Sequence, residues 1–298
     1  MALRTLTNTL LLLLAALPLT TAYPQSQSDR PIDQEDINTI LMQSTFKIEG
    51  PNGQGQSVQG TAFIVARPIP DHPLTALYVL VTAAHVLEDM PSDNAILQLR
   101  RRANGGWVRI PMPIRIRANG QPLWRKHPQA DVAVMYVPVP GDAGLEMAST
   151  DLLASDADLA KFEIHPGDEL ECLGYPLGLE ANDAGFPVLR SGTIASYPLL
   201  PTATTKSFLF DFRIFKGNSG GPVYFTDRNR YYGNTTHLGE TIRLLVGLVS
   251  QESVMPEHII GPYSEELRQL QLGLAVVIHA SLIKQAIELL PAPTLPPK

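Results

Sequence analysis

Cysteine is nearly missing: Cys172 is the only one in 298 residues. A single thiol excludes an intramolecular disulfide framework and a thiolate zinc site. Charge is sparse too, at 17% of residues, with 29 acids against 23 bases. No basic run exceeds Arg100-Arg101-Arg102. Nucleic acid is therefore not expected as a partner, because phosphate binding needs a clustered basic face. Beyond the N-terminus no apolar run is long enough to span a bilayer. No phosphate-binding glycine loop, His/Cys cluster or dinucleotide fingerprint occurs, so neither cofactor nor metal is expected. Asp151 to Asp158 offers acids for a calcium loop but reads better as a solvated turn. What the chain does have is apolar side chain, at 44%. That suffices for a sizeable core and excludes a disordered or fibrous protein.

The N-terminus has its own pattern. Arg4 precedes Leu10 to Leu14 and Ala15-Ala16-Leu17, and Thr20-Thr21-Ala22 supplies small residues. This predicts a secretory signal peptide over 1–22. The apolar stretch falls short of the roughly 20 residues a span needs, so no membrane anchor is expected after cleavage. Exported chains of this size from eukaryotes usually carry disulfides. A lone cysteine therefore fits a bacterial protein, periplasmic or secreted. Cys172 sits in the apolar run Leu170 to Gly174 and reads as a small buried hydrophobe.

Residues 23–43 form a short N-terminal extension, in which Asp33 could cap a helix that buries Ile37, Ile40 and Leu41. From residue 44 the chain reads as many short strands. They include Ser44 to Glu49, Gly60 to Ala66, Leu77 to Thr82, Ala95 to Arg100, Trp107 to Pro111 and Asp131 to Val137. After Pro, Gly and Asp-rich residues 138–160 come Glu169 to Gly174, Val188 to Tyr197, Ser207 to Arg213, Pro222 to Phe225, Leu244 to Gln251 and Leu272 to Ile278. Turn signals such as Pro51-Asn52-Gly53 and Asn119-Gly120 separate them. This regular spacing predicts an all-β barrel or sandwich. Ser281 to Leu290 predicts a terminal helix capped by Ser281, and Pro291 opens a proline-rich tail over 291–298.

Three segments carry chemistry. In Gly217-Asn218-Ser219-Gly220-Gly221, the glycine before the serine lets the amides of Gly217 and Ser219 point at one spot. A serine nucleophile needs such donors on one side and a base on the other. The two following glycines would admit a substrate backbone. In Val79 to Leu87, a strand runs through Ala83-Ala84 into His85, leaving space around the imidazole. In Ala130 to Val137, Asp131 opens an apolar strand, where a carboxylate needs hydrogen bonds. Gly-x-Ser-x-Gly also suits an α/β-hydrolase elbow, and hence an esterase. That elbow demands a helix after the serine, whereas Pro222 to Phe225 reads as a strand.

Together these segments resemble the trypsin-like, chymotrypsin-fold serine peptidases, over about residues 44 to 290. The order His85, Asp131, Ser219 is that family's order. Gly60 to Val65, Gly174 to Gly178, Ser191 to Ile194 and the substrate-pairing strand Leu245 to Ser250 resemble its strands as well. The nearest branch is the disulfide-free bacterial HtrA/Deg-like one, given Asp211 and Ile214 ahead of Gly-Asn-Ser-Gly-Gly. Only eight residues follow Leu290, so no PDZ domain is expected. The resemblance implies two six-stranded antiparallel β-barrels, about 44–140 and 160–280, with the helix at 281–290.

It also implies an endopeptidase with catalytic His85, Asp131 and Ser219, and an oxyanion hole of the Gly217 and Ser219 amides. Protein or peptide substrates follow; the oligomeric state is left open, with a monomer slightly favoured. Asn218 stands where digestive members carry the aspartate that binds a new N-terminus, so no trypsin-style activation is expected. Arg213 would lie at the floor of the primary pocket beside Ile214, with Ser250, Gln251 and Glu252 along one wall and Gly273 opposite. Ile214 favours a small apolar residue there; an inward Arg213 would favour an acidic one. The competing function is a catalytically silent binding module on the same fold.

Overall fold

The computed structural model describes residues 36–70, 72–103, 105–260 and 265–292. The expected signal segment, Asp33 and most of the proline-rich tail lie outside them. The first described element is helix α1 (Ile37–Ser44), capped by Asp36, whose side chain accepts from the Asn38 amide. Ile37 and Leu41 are the apolar residues it buries.

Strands β1 (Thr45–Pro51), β2 (Ser57–Ile69) and β3 (His72–Thr82) follow as a meander. Helix α2 (Ala84–Glu88) leads to the hairpin β4 (Asn94–Ala103) and β5 (Gly106–Arg115). Two short strands, β6 (Arg117–Ala118) and β7 (Gln121–Pro122), pair with each other. Then come β8 (Arg125–Lys126) and β9 (Ala133–Tyr136). The sheet runs β5-β4-β1-β2-β3-β9-β8, and β10 (Ala148–Ser149) is its eighth strand. β1 pairs with β2 only as far as Phe63, which frees the edge at Val65 and Ala66; β10 fills it in parallel.

Here the structure corrects one expectation. The first half is an open eight-stranded sheet rather than a six-stranded barrel. A physical reason lies in β5, where Pro111 and Pro113 alternate. Proline has no N–H for a further neighbour, so it suits an edge strand and not a closing seam.

The second half does close. After helix α3 (Asp156–Lys161), strands β11 (Glu169–Gly174) and β12 (Val188–Ile194) lead through helix α4 (Thr202–Thr205) to β13 (Ser207–Asp211) and β14 (Pro222–Asp227). A small hairpin, β15 (Tyr231–Tyr232) and β16 (Thr235–Thr236), precedes β17 (Ile242–Ile260) and β18 (Glu265–His279). The barrel order is β11-β12-β13-β18-β17-β14. β17 and β18 run well beyond the expected ends, and two register shifts interrupt their pairing, at Val249/Gln251 and Glu252/Val254. The long ends pair with each other, and Met255, Leu270 and Leu272 are exposed there. Helix α5 (Ala280–Glu288) closes the chain. Ser281 does not cap it; its hydroxyl donates to Thr202 Oγ1 at 2.8 Å.

Residues 138–160 do more than connect the halves. Besides β10, Leu153 bridges in parallel to Leu245, and the Ala154 amide donates to the Leu245 carbonyl at 2.8 Å. Cys172 is 1% exposed and its thiol is pushed up to about 12 by burial, so it packs as an inert hydrophobe.

Candidate active site

His85 lies in the first turn of α2, directly after the buried strand β3. Small Ala83 and Ala84 let that turn sit against the sheet, and both are fully buried. Asp131 lies two residues before β9, so the β3–β9 pairing of Thr82 with Ala133 brings the two segments side by side. The His85 amide donates to Asp131 Oδ1 at 3.0 Å, and Nδ1 meets Oδ2 at 2.7 Å. A carboxylate can only accept here, so Nδ1 carries the proton and Nε2 is left as the basic nitrogen.

Ser250 adds a third donor, its Oγ reaching Asp131 Oδ2 at 2.6 Å. Burial alone would raise the Asp131 pKa. The hydrogen bonds from His85 and Ser250 and the His85 charge outweigh it and bring the group to about 2. Burial likewise works against a charged His85. The Asp131 hydrogen bond and charge outweigh it, so the imidazole titrates above its ordinary 6.5.

The segment of Ser219 is stitched between both halves of the molecule. The Thr61 amide donates to the Ser219 carbonyl at 2.9 Å, and Thr61 Oγ1 donates to the Gly217 carbonyl at 2.6 Å. From the other side, the Gly220 amide donates to Val249 at 2.7 Å, and the Val249 amide to Gly221 at 2.9 Å. Gly217 has φ +98°, and a Cβ there would lie 2.2 Å from the Tyr175 carbonyl. Gly220 has φ +87°, and its Cβ would lie 2.0 Å from the Thr61 carbonyl. Gly221 abuts the Leu173 carbonyl in the same way. Gly220 and Gly221 thus make room for the protein's own backbone, which corrects their reading as space for substrate.

The amides of Gly217 and Ser219 donate to no acceptor among the described residues, whereas the Asn218 amide between them donates to the Phe215 carbonyl at 3.1 Å. Ser219 and His85 line one cleft of about 430 Å3, along with Gly217, Lys216, Asp89 and Gln59. The arrangement offers a hydroxyl, an imidazole with its tautomer set, and two backbone amides without an acceptor among the described residues.

The remaining expected residues separate. Ile214 is buried at 4% exposure. Arg213 is exposed, with its guanidinium 5.4 Å from the Phe215 ring. Gln251 is exposed and Glu252 half-buried. Gly273 falls where β18 gains residues on β17, between the pairs Glu252–Ala275 and Val254–Gln271. Among the described residues, no group of His, Cys, Asp or Glu is placed to hold a metal. Sequence reasoning passed over Thr61; its position facing the Gly-Asn-Ser segment is a tertiary fact with no local signal.

A family model described as "Trypsin-like peptidase domain" matches residues 60–233, a span that contains His85, Asp131 and Ser219. The chain belongs to the trypsin-like peptidase domain family. No curated protein matches this trypsin-like domain in sequence. Among solved structures, it is similar to the protease Anisep from Arthrobacter nicotinovorans, at 15% identity and TM-score 0.43, covering 83% of this chain and 94% of that one. A thermostable serine protease, AL20, from an extremophilic microorganism matches at 14% identity and TM-score 0.44, covering 82% and 95%. A protease from M. tuberculosis in its active form matches at 18% and 0.44, covering 87% and 84%.

Proposed function

We propose that this trypsin-like domain is a serine endopeptidase that works through an acyl-enzyme. The observation carrying the proposal is the 2.7 Å His85–Asp131 hydrogen bond on the wall of the cleft that Ser219 also lines. In the proposed reaction, His85 Nε2 takes the Ser219 hydroxyl proton as Oγ bonds to the peptide carbonyl carbon. The Gly217 and Ser219 amides hold the oxyanion. The C–N bond then breaks, and the His85 proton leaves with the amine. Water repeats the sequence on the acyl ester, with His85 again as base.

Asp131 keeps the imidazole in the required tautomer throughout. Buried Ile214 supports a preference for a small apolar residue at the primary pocket, and exposed Arg213 gives no support to an acidic one there. The Asp211 to Gly221 segment supports placement near the HtrA/Deg-like branch. The 1–22 pattern supports an exported, periplasmic or secreted, enzyme.

The test is fluorophosphonate labelling together with cleavage of a mixed peptide library, run on wild type and Ser219→Ala. We expect labelling and cleavage in wild type and neither in the variant. Folded wild-type protein that does neither would favour a silent binding module.

A further inference from the structure

On the Ser250 side of His85 lies a second cleft, of about 660 Å3. Gln129 and Ala130 line it ahead of Asp131, Ser250 and Gln251 line it from β17, and Lys206 lines it from the turn before β13. Its charges are unequal in availability. Both oxygens of Asp131 are taken, Oδ1 by the His85 amide and Oδ2 by His85 Nδ1 and Ser250 Oγ. The Lys206 ammonium has no ion pair or hydrogen bond among the described residues. Gln129, Ala130, Ser207, Gln251, Val276 and Ile278, which complete the wall, are uncharged.

The lysine is also held in place. Its amide donates to the Thr202 carbonyl at 2.9 Å, and its carbonyl accepts from the His279 amide at 3.1 Å. Its φ of 40° is a value a side-chain-bearing residue seldom adopts unless its surroundings impose it.

Side chains of an extended peptide alternate between two faces. On the peptidase reading above, the residue preceding the scissile bond would face the Ile214 side, so the second and fourth residues before the bond would face the opposite way, toward His85 and this cleft. We propose that Lys206 selects an acidic side chain at the second or fourth residue before the scissile bond. This rests on the peptidase reading above. The cleft on the other side of His85 is lined by both Lys216 and Asp89, opposite charges that sum to no net selection for acid beyond the bond.

The test compares quenched fluorescent peptides that differ only as Glu or Gln at one position. In wild type at low salt, kcat/KM for Glu should exceed that for Gln by roughly 2- to 5-fold at the second or fourth position. The ratio should shrink as sodium chloride is raised. It should approach one in Lys206→Met and invert in Lys206→Glu. Immediately beyond the scissile bond, Glu and Gln should be equal. The salt series needs only wild-type protein, so a variant that fails to fold leaves the test intact. Equal cleavage of Glu and Gln peptides at both positions overturns the Lys206 assignment alone. No cleavage of any peptide, with Ser219 unlabelled, overturns the peptidase reading and the assignment with it.

Discussion

Ser250 donates its hydroxyl to Asp131 at 2.6 Å, on the same carboxylate oxygen that meets His85 Nδ1. It therefore orients the carboxylate and helps hold its pKa near 2. Ser250→Ala removes one donor from Asp131 and leaves a more basic carboxylate facing the imidazole. His85 should then titrate still higher, moving the acid limb of kcat/KM to higher pH. We expect kcat/KM to fall about tenfold, equivalent to ~1.4 kcal/mol of barrier. A pH–rate profile of the variant checks both effects. An unmoved acid limb would show that the hydroxyl is only packing.

Asp131 raises the His85 pKa against the pull of burial. In the proposed reaction His85 is a base that works only when neutral, so activity should rise with pH through a value above 6.5. Asp131→Asn removes the charge that outweighs burial, so the acid limb of the residual activity should move down. Its turnover should drop by about 10⁴-fold, because an amide no longer imposes the Nδ1–H tautomer. Imidazole titration by NMR in wild type and variant checks the sign. A higher His85 pKa in the variant would contradict the electrostatic account.

How much of this was readable beforehand depends on where each signal lives. His85 and Asp131 announce themselves locally, by two alanines after an apolar strand and by an acid opening one. Ser250 reads in sequence as a pocket-wall residue at a strand end; its bond to Asp131 has no local signal, because that partner lies 119 residues away. The outer parts of β17 and β18 escaped because Glu252 to His258 shows no apolar alternation, and their pairing with each other depends on a partner strand that the local pattern does not report. The open first sheet was hidden for the opposite reason. Its strands look like barrel strands, and closure depends on an edge that local pattern does not report. Lys206 follows a short polar helix, and nothing local marks it as facing a cleft.

Arg100 shows the same gap from the side of stability. In sequence it is one of three consecutive arginines; in the fold it is fully buried. Its guanidinium donates to the carbonyls of Met42, Gln43, Thr45 and Gly185 and to the Tyr175 hydroxyl. It also lies between the rings of Phe46 and Phe186, at 4.6 and 4.5 Å. It ties α1 and β1 to the loop after β11, whose Tyr175 carbonyl abuts Gly217. Arg100→Met leaves several buried carbonyls without a donor, at about 1–3 kcal/mol each. A total loss of at least ~3 kcal/mol is expected, lowering Tm by roughly 6–12 °C. Arg100→Lys should recover little, since an ammonium cannot span the same set of acceptors. Thermal melts of the two variants decide this; a Tm within about 2 °C of wild type for either would reject the hub.

His279 should set the acid limit of stability. Its ring is 1% exposed, neither nitrogen has a hydrogen-bond partner among the described residues, and Phe208 packs against it at 5.0 Å. Burial pushes its pKa down to about 4, only weakly opposed by Asp156. The folded state therefore holds a neutral ring, while the unfolded chain takes up a proton near 6.5. Its stabilising share is fully present above pH 6.5 and is lost as pH falls toward 4. By pH 5 that loss is roughly 2 kcal/mol. His279→Leu removes both the titration and two unpartnered buried nitrogens. At pH 7.5 it should be neutral or mildly stabilising, and its Tm should drop less than wild type's between pH 7.5 and 5. Melting curves at both pH values test this; an equal drop in the two proteins would place the acid sensitivity elsewhere.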